Sequence, residues 1–235
     1  MTSLAGSRPL AALRLGTLVL VTAFALGAPR SAFAGAQAEE VLAPSVVAGL
    51  AAAVADQPVP VDYARRPDVK PWIDAMSQRL APRLANTAER TDFLATVYYE
   101  ATRAGLDPEL VLAVIHHESG FHKYAVSPAD ARGYMQVMPF WTRLIGTAGQ
   151  NLFHLRTNLR YGCTILRHYL GIENGDVYRA LGRYNGSLGR AEYPTAVMTA
   201  LSRYRTVPMQ TDVARATIPE QPQFALRNVS AAPAR

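Results

Sequence analysis

Glu118 is the residue of this 235-residue chain whose position most suggests acid–base chemistry. Val111, Val114, Ile115 and Glu118 recur at i, i+3, i+4 and i+7, the spacing that lines one face of a helix. The carboxyl therefore shares a stripe with core residues. It also falls at the C-terminal end of that helix, where the backbone dipole is negative. Both effects disfavour the carboxylate, and desolvation alone can lift a carboxyl pKa far above its ordinary value. Ser119-Gly120 follows directly, and glycine ends helices readily because it accepts left-handed backbone. A protonated carboxyl at a helix end, facing a loop, suits a general acid. From spacing alone, a Glu118 turned outward or paired with an arginine accounts for the position equally well, because structural ion pairs also perturb pKa values.

Three histidines crowd the same stretch: His116, His117 and His122. A zinc-protease helix needs two histidines one turn apart around a glutamate. Here His117 and His122 are five apart, with Gly120 between them. That spacing fails the ligand geometry, and neither metal nor cofactor is expected. Further on, Gly133-Tyr134-Met135-Gln136-Val137-Met138-Pro139 places two methionines around a glutamine. Methionines form a soft apolar wall, and a Gln amide both donates and accepts hydrogen bonds. That combination suits sugar hydroxyls or an N-acetyl group, although a loop-to-helix junction with core methionines has the same pattern. Arg183-Tyr184-Asn185-Gly186-Ser187 reads, taken alone, as a helix stop and turn.

Taken together, Glu118-Ser119-Gly120, Ser127, Gly133-x-Met135-Gln136-x-Met138-Pro139 and Tyr184-Asn185 stand in the order and spacing of the soluble lytic transglycosylase (SLT) domain of the lysozyme-like superfamily. The chain resembles that family from about residue 90 to residue 200. Gly105-Leu106-Asp107-Pro108 before the glutamate and Asn158-Leu159-x-x-Gly162 after it fit as well. The resemblance implies an all-α, lysozyme-like single domain with a glycan-binding cleft. It implies cleavage of the β-1,4 bond between N-acetylmuramic acid and N-acetylglucosamine in peptidoglycan, leaving a 1,6-anhydro-muramic end. Glu118 matches the catalytic acid/base. Ser127, Met135, Gln136 and Met138 match the substrate-binding motif. Tyr184 matches the residue held near the carboxyl, with Asn185 beside it. Tyr134, where the family often has Leu, and Gly186-Ser187, where Ala-Gly is common, are departures that touch subsite detail. A hydrolytic muramidase of the same fold would need a second carboxylate, for which Asp130 is nearest in sequence. A non-catalytic glycan-binding or scaffold protein is the reading from another class.

The elements that must hold these groups are helical. Trp72, Ile73, Met76 and Leu80 recur at helical spacing, and Phe93, Val97, Glu100, Ala101 and Ala104 continue in a second helix that stops at Gly105. Asp107-Pro108-Glu109 opens the Glu118 helix: Asp caps free N–H groups, Pro suits the first helical position, and Glu complements the dipole. Later helices are expected at 140–144, 158–170, 176–183 and 193–203. No run alternates cleanly over six residues, so no half-buried strand is expected.

Around this domain, expected over residues 67–206, lie three appendages. Residues 1–34 read as a secretory signal: Arg8 and Arg14, an apolar run from Leu15 to Leu26, and Ala32-Phe33-Ala34 as the cleavage site. No cysteine adjoins that site to carry a lipid, so a periplasmic or envelope enzyme, soluble after cleavage, is expected. Residues 35–66 are Ala-rich with scattered prolines and read as a linker or loosely docked arm, with a short helix over 39–55 as an option. Residues 207–235 read as a flexible tail. The chain has 24 basic and 18 acidic residues, and removing Arg8, Arg14 and Arg30 lowers the excess from +6 to +3. That mild charge suits an anionic wall polymer and excludes a nucleic-acid stripe. The lone Cys163 cannot close an internal disulfide. A monomer is expected, and the lack of a second wall-binding domain favours recruitment by envelope-machine proteins.

Overall fold

The computed structural model describes residues 37–55 and 57–205. Among these residues the regular elements are eight α-helices and one short 3-10 helix, Tyr63–Arg65. In chain order the helices are α1 Pro44–Val54, α2 Lys70–Leu80, α3 Thr87–Arg103, α4 Pro108–Glu118, α5 Phe140–Ile145, α6 Leu155–Ile172, α7 Val177–Tyr184 and α8 Glu192–Tyr204. The fold class is all-α. The long loop between α4 and α5 carries only isolated bridges, Val126 to Arg132 and Arg132 to Val137. The expectations placed on residues 1–34 and 207–235 lie outside the described residues.

Local chemistry sets the helix ends. The Asp107 side chain accepts from the Glu109 N–H at 2.8 Å, with Pro108 at the first helical position. Asn86 caps α3 through the Glu89 N–H, and Asp176 caps α7 through the Arg179 N–H. Gly105, at φ +67°, closes α3 as the Leu106 N–H returns to the Ala101 carbonyl at 2.9 Å, the backward bond typical of a left-handed helix stop.

α4 is more enclosed than its apolar stripe suggests. Every residue from Glu109 to Ile115 is buried, so α4 is the central helix rather than an amphipathic one. α8 packs along it, α3 lies against it, and α6 packs against α3 and α7. The methionine–glutamine loop is pinned to α6 by Asn158, which has no exposed surface. Its Oδ1 accepts from the Met135 N–H at 2.8 Å, and its Nδ2 donates to the Arg132 and Leu152 carbonyls, both at 2.8 Å. Gly162 lets the loop sit this close: a Cβ there would meet Met135 Sδ at 2.4 Å. Gly133, at φ +73°, is equally constrained, since a Cβ would lie 2.5 Å from Asn158 Nδ2.

The described part of residues 35–66 is docked against this core and does not form a linker. Leu50 and Val54 of α1 and Tyr63 of the 3-10 helix are buried in the common core. Gln37 accepts from Trp141 Nε1 at 2.9 Å. Arg160 of α6 donates to the carbonyls of Ala55 and Gln57, and Arg103 donates to that of Ala53. Large apolar residues are few in this segment, as the composition indicates. What holds it are those few anchors and guanidinium groups supplied from α3 and α6.

Candidate active site

Glu118 is the last residue of α4. Ser119 caps the helix; its hydroxyl donates to the Ile115 carbonyl and accepts from the Phe121 N–H, both at 3.2 Å. Gly120 (φ +58°) and Phe121 (φ +73°) both take left-handed backbone and turn the chain sharply away. Such a conformation costs a non-glycine residue free energy. Phe121 holds it while buried, with its ring against Phe93, His116 and Tyr204.

The Glu118 side chain is half-buried and receives one hydrogen bond, from the Tyr193 hydroxyl to Oε1 at 2.6 Å. Among the described residues no arginine, lysine or histidine is paired with it. Burial pushes its pKa up to about 7, against 4.5 for an ordinary glutamate, while the Tyr193 bond pulls the other way. Burial, the charge of Glu118 and that hydrogen bond hold the Tyr193 hydroxyl well above its ordinary pKa, so it stays a neutral donor. The His117 ring meets the Tyr193 ring edge-on at 5.0 Å. His116 is engaged elsewhere: Nε2 with Arg83 at 3.2 Å and Nδ1 with the Tyr204 hydroxyl at 2.6 Å. Burial, then Arg83, Arg203 and His117, lowers its pKa.

The residues singled out by motif divide into two groups. Ser127 and Met138 are half-buried, while Gln136 and Asn185 are buried but keep side-chain groups without a partner among the described residues. Ser127 is half-buried, and its hydroxyl accepts from the N–H groups of Ala129 and Ala131 at 3.2 and 3.0 Å, shaping the loop. Gln136 sits at φ +48° with its Nε2 donating to the Ala125 and Gly133 carbonyls. Its amide oxygen has no partner within the described residues. Met138 is half-buried. Asn185 is the C-cap of α7, and its side-chain amide makes no bond within the described residues.

Met135 and Tyr184 fall in the second group. Met135, expected to bind substrate, has no exposed surface and packs beside Gly162. Tyr184, expected to orient the carboxyl, is 1% exposed and donates instead to the Met135 carbonyl at 2.7 Å. Its hydroxyl still feels the Glu118 charge, after the larger effect of burial, and is held well above its ordinary pKa. It therefore fixes the loop beside the carboxyl and leaves the direct bond to Tyr193. The motifs missed Tyr193 because it lies 75 residues from Glu118 in an unremarkable Glu192-Tyr193-Pro194 helix start. Asp130 is exposed and held by the Arg132 guanidinium at 3.0 and 2.9 Å.

Part of the chain is similar to known proteins. Residues 96–199 match the family model of the transglycosylase SLT domain. The chain is 39% identical over 64 residues to membrane-bound lytic murein transglycosylase C of Mannheimia succiniciproducens, covering 27% of this chain and 16% of that protein. It is 35% identical over 113 residues to the protein of the same name from Yersinia pestis, covering 41% of this chain and 32% of that one. The chain thus spans about a third or less of the length of these relatives. An inactive mutant of lytic transglycosylase Slt from Pseudomonas aeruginosa aligns over 47% of this chain and 23% of its own, with 24% identity and a TM-score of 0.43. The shared region is thus the stretch 96–199, which is similar to the transglycosylase SLT domain.

Proposed function

We propose that this protein is a peptidoglycan lytic transglycosylase that uses Glu118 first as acid and then as base. The observation that carries this reading is the state of Glu118: half-buried, held at about 7, with a neutral tyrosine as its single hydrogen-bond donor. A group with a pKa near the working pH can both give and take a proton. Glu118 first gives its proton to the glycosidic oxygen between N-acetylmuramic acid and N-acetylglucosamine, and that bond to C1 breaks. The acetamido oxygen of the same muramic residue attacks C1, a substrate-assisted route that requires no second carboxylate. Glu118, now a carboxylate, takes the proton of the C6 hydroxyl as O6 closes onto C1 and displaces the acetamido oxygen. The products are a free N-acetylglucosamine 4-hydroxyl and a 1,6-anhydro-muramic end. No water is consumed, and Glu118 is protonated again.

Tyr193 holds the carboxyl in place during both transfers. The unpartnered amide oxygen of Gln136, with Ser127, Met138 and Asn185, forms the muramic subsite, while Met135 and Tyr184 support its floor. The signal-like segment 1–34 supports a periplasmic or envelope location, and among the described residues no helix is long and apolar enough to cross a membrane.

Mass spectrometry of sacculi digested by the wild type and by Glu118→Gln tests the reading. Anhydro-muramic products from the wild type, absent with the variant, are expected. Reducing ends would establish a hydrolase instead, and no release would leave a glycan-binding protein. Cleavage retained in Glu118→Gln would overturn the assignment of the acid.

A further inference from the structure

A second concave site lies away from Glu118. A cavity of about 660 Å³ opens between α1, α3 and α6, a size typical of small-molecule sites. Neither Glu118 nor Tyr193 lines it. Its charge is unbalanced: three guanidinium groups, Arg103, Arg160 and Arg167, line it against one carboxylate, Glu100. Glu100 is already taken, by Arg160 at 2.7 Å and Arg103 at 3.3 Å. Those two arginines also hold backbone carbonyls of the N-terminal arm. Arg167 takes part in no hydrogen bond or ion pair among the described residues. The lining also has an apolar part, with Ala53 and Leu50 from α1, Ala104 at the C-terminal cap of α3 and Ile172 from α6.

An arginine fork without a carboxylate, beside apolar lining that includes two alanines, fits a ligand with a terminal carboxylate on a small apolar body. We propose that this cavity binds the alanyl carboxylate end of a short peptide, with the carboxylate on Arg167 and the methyl group against Ala53 and Ala104. The choice of an alanyl peptide rests on the peptidoglycan reading, because the glycan of that polymer bears short peptides ending in D-alanine. The site would then hold a peptide branch while a glycan strand occupies the Glu118 cleft.

Calorimetric titration of the full chain with D-alanyl-D-alanine, acetate and inorganic phosphate tests this. The dipeptide is expected to bind at least tenfold more tightly than acetate or phosphate. Arg167→Gln, which removes the fork, and Ala53→Trp, which fills the cavity from an exposed helix position, should each weaken dipeptide binding at least tenfold. Circular dichroism checks that both variants remain folded. Absence of dipeptide binding, equal binding of acetate or phosphate, or binding unchanged in both variants would overturn the proposal. Release of anhydro-muramic products, measured on the same samples, separates the two readings. Cleavage without Arg167-dependent dipeptide binding sinks the peptide site alone. Arg167-dependent binding without cleavage sinks only the transglycosylase reading.

Discussion

Two glutamates of one helical core are treated in opposite ways. Glu100, in the middle of α3, is 1% exposed and gripped by Arg160 at 2.7 Å and Arg103 at 3.3 Å. Glu118, at the end of α4, is half-buried and among the described residues is bonded by a neutral tyrosine at 2.6 Å. A carboxylate matched by cations ties elements together; here it joins α3, α6 and, through the arginines, the N-terminal arm. A carboxyl that is desolvated without a cation keeps its proton up to about 7 and is available for proton transfer. Burial alone therefore does not separate the two glutamates. The chemistry of the partner does.

The largest expected effect removes the unpaired carboxyl. Glu118→Gln should lower turnover by roughly a thousandfold or more, within or above the usual range for a general acid–base group, as read by release of anhydro-muropeptides. Binding of undigested glycan should be nearly unchanged, because the amide keeps the shape and can still accept from Tyr193. The paired carboxyl should behave oppositely. Glu100→Gln leaves two guanidinium groups short of their counter-charge, and breaking such a pair costs about 3–5 kcal/mol. For a chain of this size that is a fall in Tm of about 10 °C. Proteolysis near Gln57 should accelerate, since the arm depends on Arg160 and Arg103, while activity per folded molecule at low temperature stays near the wild type. Loss of turnover in Glu100→Gln without loss of stability would erase the distinction between the two glutamates.

Much of this arrangement is legible in the sequence, and the unreadable part has one physical cause. Helix ends are local, so Asp107-Pro108-Glu109 and Gly105 announce them directly, and the expected helices recur within a few residues. Glu118 is legible because its spacing and the break at Ser119-Gly120 lie within ten residues. The partners are not. Tyr193 is 75 residues from Glu118 and Arg160 is 60 from Glu100, and no periodicity relates positions brought together by tertiary packing. The helical pattern places Glu100 on the apolar stripe of α3 without showing that two arginines meet it there. Composition leaves residues 35–66 open between a linker and a docked arm for the same reason, since their anchors belong to α3, α5 and α6. Tyr184 was legible as a residue near the carboxyl, but which tyrosine makes the bond depends on the relative placement of α7 and α8.

The unpaired state of Glu118 also has a signature in stability. Its folded pKa, about 7, lies above the 4.5 of an exposed glutamate, so the folded protein binds more protons than the unfolded chain between those values. Its contribution is therefore neutral below about pH 4.5 and becomes unfavourable as pH rises to 7, reaching at most about 3 kcal/mol. Glu118→Gln removes that penalty. Chemical denaturation should show the variant gaining on the wild type across that window and holding a constant advantage above pH 7. A pH-independent difference would mean that the carboxyl is not desolvated.

The smallest effect concerns the one donor that separates Glu118 from complete isolation. Tyr193→Phe deletes the 2.6 Å bond while keeping the ring that packs against His117. That bond lowers the Glu118 pKa against the larger effect of burial, so its loss should raise the pKa above about 7. The protonated acid then persists to higher pH, and the alkaline limb of kcat/KM should move upward. Turnover at the optimum should fall about tenfold, roughly 1.4 kcal/mol, the scale of one hydrogen bond to a charged group. A purely structural tyrosine would lower activity at all pH values without moving the limb. Such a result would mean that Glu118 owes its position to α4 alone, and that the difference between the two glutamates lies in the absence of cations rather than in the presence of the tyrosine.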